Sequence, residues 1–162
     1  MRGCCTFVIA LGIGVPCVAQ TTAKEAQTLA AYPLTMDHVT RHYQALVDLT
    51  RQEQEDTSLR RELQGWSGLP LDRQIQLYES NAKTAAIVNA HGITPRDQVM
   101  TQTALMALMI ALPSIEQKKG PNAKNRLQFD ASSSGHVKFY HEHQAEISKM
   151  GAELVDVALG KK

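Results

Sequence analysis

The chain has 162 residues, with 17 Lys and Arg against 16 Asp and Glu. So even a charge balance provides no long-range field for a phosphate backbone or an anionic membrane, which argues against nucleic acid as a partner. All three cysteines, Cys4, Cys5 and Cys17, lie in the first seventeen residues.

That first segment reads as a secretory signal peptide over residues 1–19. Arg2 supplies the positive start, Phe7 to Val15 the short apolar run, and Cys17-Val18-Ala19 the small-residue pattern before a cut after Ala19. Gly12, Gly14 and Pro16 interrupt a run already shorter than the ~20 apolar residues a membrane span needs, so no stable anchor is expected after cleavage. Pro16 before Cys17 speaks against a lipidated cysteine. The remaining chain balances sixteen basic against sixteen acidic residues and holds no thiol. Disulfides, a thiolate nucleophile, an iron–sulfur cluster and haem attached through cysteine are thereby excluded from the mature protein. Its length suits one domain, since a chain of about 150 residues buries roughly 68–70% of its unfolded surface.

Residues 20–33 are small and polar and read as a flexible leader, with Tyr32-Pro33 biased toward extended backbone. The single helical domain is expected over residues 34–159. Thr35 is placed to cap a helix starting near Met36, with Asp37 in the first turn and Leu34 and Val39 forming a hydrophobic staple. Met36, Val39, Tyr43, Leu46, Val47 and Thr50 follow the spacing of one buried face. From Arg51 to Asp56 the chain is wholly polar, consistent with a continuation of that helix or with a break before one capped by Thr57 or Ser58. Leu59, Leu63 and Trp66 share the next stripe, which Gly65, Gly68 and Pro70 end.

A further helix is expected from about Asp72 to His91, with Ile75, Tyr78, Ala82, Ala85, Ala86 and Asn89 inward and Gly92 as its stop. Thr94-Pro95-Arg96-Asp97 marks the next start, with Thr94 as cap, Pro95 at the first helical position and Asp97 closing a capping box. The run Ala104 to Leu112 is apolar on every side until Pro113, so helix 95–112 is expected at the centre of the bundle. Nine residues rise only about 13–14 Å, too short for a bilayer. Residues 114–133 read as a surface connection, 134–158 as a last helix with Val137, Tyr140, Gln144, Ile147, Gly151, Leu154 and Ala158 on one face, and 160–162 as a frayed end. No segment alternates over strand length. A compact all-α bundle of four to five helices follows.

Histidine is the suggestive chemistry: His38, His42, His91, His136, His141 and His143. His38 and His42, four apart on a helix, present two imidazoles on one face and could supply two ligands to Zn, Cu or Ni, with His141 as a third. The competing reading makes them solvated or capping residues, and His91 near a helix end suits the dipole. Haem held without covalent attachment between Met36 and His141 is a further alternative. The chain carries no nucleophile elbow, phosphate-binding glycine loop or His-Glu-x-x-His, so no catalytic residue is assigned.

Leu34-Thr35, Gly92-Ile93-Thr94-Pro95-Arg96-Asp97 and His143-Gln144-Ala145-Glu146-Ile147 together resemble a family of short, exported, all-helical bacterial proteins of no assigned activity. The resemblance spans most of residues 34–150 and implies an exported helical fold, with no catalytic residue carried over. Gln98 stands where such proteins often have an aromatic residue. The expected function is an exported, periplasmic or secreted, non-catalytic protein that binds an envelope or secreted protein partner. A histidine-based metal-binding protein is the alternative, and a small bundle enzyme a further one.

Overall fold

The computed structural model describes residues 23–66, 68–116 and 134–161. Within them the chain is all-α, as its patterning predicts, and holds seven helices. They are α1 (Ala23–Ala31), α2 (Met36–Glu55), α3 (Thr57–Trp66), α4 (Leu71–Ser80), α5 (Ala82–Ala90), α6 (Pro95–Glu116) and α7 (Ser134–Ala158). The signal segment 1–19 and most of the connection 114–133 lie outside the described residues. No helix among those described is long and apolar enough to cross a membrane.

Helix boundaries follow local chemistry closely. Thr35, in extended backbone, accepts the amide of His38 at 3.2 Å and so satisfies one of the unpaired donors at the start of α2. Thr94 accepts the amide of Asp97 at 3.0 Å and so caps α6, while its hydroxyl donates to the Asp97 carboxylate at 2.6 Å, a side-chain bond in place of the carboxylate-to-amide bond of a full capping box. Gly92 ends α5 at φ +68°, and a side chain there would overlap the Arg41 guanidinium, which donates to the Gly92 carbonyl at 2.8 Å. The last residues are less frayed than expected, because Gly160 and Lys161 close a Schellman turn onto the carbonyls of Val157 and Asp156.

The larger helix count has three local causes. First, the expected leader contains α1, whose Leu29 is buried with the following Tyr32. The Glu25 carboxylate in α1 also accepts the Leu71 amide at 2.8 Å, capping α4 from a neighbouring helix. Second, Asp56 breaks the polar run: its carboxylate accepts the amides of Ser58 and Leu59 and pairs with Lys83, making Asp56 the cap of α3 in place of Thr57 or Ser58. Those bonds hold its pKa well below the usual carboxylate range, with the Lys83 contact the largest cause. Third, Asn81 interrupts 72–91. It accepts the Thr84 amide at 3.0 Å and restarts the helix in a new rotation, which buries Thr84 and Val88 and leaves Ala82, Ala86 and Asn89 exposed.

Helices α2 and α6 share the centre. α2 packs against α3, α5, α6 and α7, and α6 against α1, α2, α4, α5 and α7. The core joins Val39, Ala45 and Leu49 of α2 to Val99, Met100, Ala104, Leu105 and Leu108 of α6. α6 departs from its expected form at the far end. It continues past Pro113 to Glu116, and one face of its later turns is open, with Met109 58% and Ile110 42% exposed while Leu108 and Leu112 stay buried. A proline near a helix end forfeits one backbone bond and leaves most of the ladder intact.

Candidate functional site

The inner face of α2 is not the one its most apolar residues mark out. Val39, His42, Ala45 and Leu49 are buried, whereas Met36, Tyr43, Leu46 and Val47 are half-buried. That rotation carries His42 into the core, where it is 2% exposed. Opposite, α6 presents Gln98 and Thr101, both fully buried and three apart on one face. The Nδ1 of His42 and both amide atoms of Gln98 are buried without a hydrogen-bond partner among the described residues. Desolvation pushes His42 down to about 4 from its ordinary 6.5, with the nearby Gln98 amide pulling weakly the other way. His42 is therefore a neutral ring at pH 7.

One turn earlier on α2 the polar groups find partners. The Tyr32 hydroxyl lies 2.9 Å from Thr101 Oγ1, 3.1 Å from His38 Nδ1 and 3.4 Å from the Asp97 carbonyl. His38 Nδ1 also meets the Pro33 carbonyl at 3.2 Å, and because a carbonyl only accepts, the proton is assigned to Nδ1. The phenol and imidazole stack at 5.6 Å. Burial raises the Tyr32 pKa to about 12, against the Thr101 bond, so the phenol stays protonated as a junction between the α1–α2 connection and α6.

The other expected ligands are placed elsewhere. His141 is exposed on α7, its ring steeply inclined to that of Tyr140. Among the described residues no three His, Cys, Asp or Glu side chains are grouped to hold a metal ion. Met36, the proposed haem partner of His141, lines a groove described below. The remaining histidines have structural contacts: His91 Nε2 with Asp48 at 2.9 Å, His136 Nε2 donating to the Tyr32 carbonyl at 2.7 Å, and His143 with Glu146 at 3.5 Å beside the Phe139 ring. The Asp48 contact gives His91 a partner on α2 in addition to its place at the end of α5.

A second feature lies between α2 and α7. These helices run in the same direction: His136 near the start of α7 bonds just ahead of α2, and Gln54 near the end of α2 donates to the carbonyls of Val157 and Ala158. Between them is an open groove of about 240 Å³, lined by Met36 and Thr40 from α2 and by Glu146, Lys149, Met150 and Glu153 from α7. Both methionines rest against the core while remaining half-buried. The glutamates and Lys149 are exposed at the rim.

Sequence reasoning reached His38 and His42 but missed Tyr32, Gln98, Thr101 and the groove. A signal existed for the α6 pair, since Gln98 and Thr101 are polar positions spaced along the inward face of an otherwise apolar helix. The groove had none, because it arises from the distance between two helices remote in the chain. Comparison with known protein families, curated proteins and solved structures finds no match to this chain.

Proposed function

We propose that the protein is an exported, non-catalytic binding protein that docks a partner protein in the groove between α2 and α7. The observation that carries this reading is the groove's composition: two half-buried methionines on the walls and charged side chains on the rim. Methionine is flexible and polarizable and adapts to varied apolar partners. At about 240 Å³ the groove falls below the roughly 300–1,000 Å³ of small-molecule sites, and suits one or two side chains of a protein better than a whole cofactor. Export rests on the signal-like first nineteen residues and on the resemblance to exported helical proteins.

A photo-crosslinking residue in place of Lys149 tests the docking. The expected result with envelope extract is one discrete adduct, absent when the crosslinker replaces Gln76, which is exposed on α4 and outside the groove lining. Filling the groove by Thr40→Trp, or charging it by Met150→Glu, should remove the adduct while circular dichroism reports an intact fold. Equal adducts from both positions, or an adduct indifferent to both groove variants, would sink the reading.

A further inference from the structure

Resting on that docking reading, we infer that the partner's docking element is an amphipathic helix that lays an aliphatic side chain between Met36 and Met150, with a lysine or arginine about a turn to either side. The shape argument comes first. α7 lines the groove at positions 146, 149, 150 and 153, and α2 at 36 and 40. Those spacings give a wall of two helical turns on α7, about 10 Å long at 1.5 Å per residue, faced by one turn of α2. A trough between two side-by-side helices accepts the side-chain ridge of a third, the geometry of helix-in-groove recognition.

Charge selects the flanking residues. Glu146 and Glu153 stand at the two ends of the α7 wall with Lys149 between them, so the rim is net acidic and its carboxylates lie outermost along the trough. Glu146 leans toward His143 at 3.5 Å, and neither Lys149 nor Glu153 makes an ion pair with a described residue. Lys149 precedes Glu153 by four, which is the less favourable order for a pair within a helix. Two outer carboxylates therefore stand at the solvent edge beside the two methionines, a surface complementary to a helix with one aliphatic anchor and a cation on either side.

Two synthetic peptides of about 15 residues, near the length at which isolated helices become marginally stable, test this. Both carry one leucine anchor; one has lysine four residues before and three after it, and the other has glutamate there. Fluorescence anisotropy with the full chain should give about tenfold tighter binding of the lysine peptide. Glu146→Lys with Glu153→Lys, both exposed, should reverse that preference. Equal binding of the two peptides, or a preference unchanged in the double variant, overturns the inference. Equal binding of the lysine peptide after a central proline breaks its helix overturns it as well. Self-association in sedimentation without peptide binding assigns the groove to a second copy and also overturns it. If the Lys149 crosslink persists while the peptides show no charge preference, only the helix assignment falls. If the crosslink is absent, the docking reading falls too.

Discussion

α2 meets two long helices in opposite ways. Against α6 it buries a histidine beside a glutamine, and against α7 it leaves two methionines half open beside charged side chains. Polar groups are inside at one seam and apolar groups partly outside at the other. The first arrangement carries an energetic penalty, because desolvated donors and acceptors lose their water partners. It is flanked along the two helices by Val39 and Ala45 of α2 and Val99 of α6, all fully buried. The second keeps apolar surface available to another molecule, at the expense of the stability its full burial would give. α2 packs extensively on α7 as well, with Ile147 of α7 in the core, so what can change with little loss of stability is the exposed rim of the groove.

The sharpest way to break this comparison is Leu108→Ala. Leu108 is fully buried on α6, and its truncation should cost about 2–5 kcal/mol in urea unfolding. A loss below about 1 kcal/mol would remove α6 from the centre of the core.

Next in size is the pH response of His42. Its folded pKa of about 4 lies below its ordinary value of 6.5, so the unfolded chain takes up the proton first as pH falls. Stability is therefore fully present above pH 6.5 and declines toward pH 4. One pKa unit corresponds to about 1.4 kcal/mol, so His42 should account for about 2 kcal/mol lost by pH 5 and about 3 kcal/mol by pH 4. His42→Leu, close in volume and unable to titrate, should flatten the pH profile of unfolding free energy between 6.5 and 4. Parallel profiles for variant and parent would show that the ring is not desolvated.

Tyr32→Phe should cost about 1–2 kcal/mol, since it keeps the ring and removes the hydroxyl that joins Thr101 and His38. Slower amide exchange at the start of α6 in this variant would contradict the junction role. The smallest change belongs to the other face: Lys149→Glu, at an exposed position with no ion pair among the described residues, should alter stability by no more than about 0.5 kcal/mol. A large loss there would place the groove among the elements that hold the fold.

Much of the architecture was legible because it depends on neighbours in sequence. Thr35, Thr94 and Gly92 act within a turn, and each stands where its residue type predicts. The breaks at Asp56 and Asn81 also act locally, but each residue satisfies a helix end that the polar composition around it equally allowed to continue. α1 was hidden because its burial depends on docking against α6, far along the chain. For the candidate site, the spacing of His38 and His42 correctly put them on one helical face. It left undetermined whether that face meets water, a ligand or the core.

The chain alone therefore determined an all-α body with specified helix ends, because capping, glycine conformations and apolar periodicity act over three or four residues. Only the tertiary structure decided that α2 turns His42 toward Gln98, that Tyr32 joins His38 to Thr101, and that Met36 and Met150 face one groove. Those outcomes follow from how helices distant in sequence share a limited interior, where the rotation of each is set by total burial across all its neighbours and not by its own most apolar stripe.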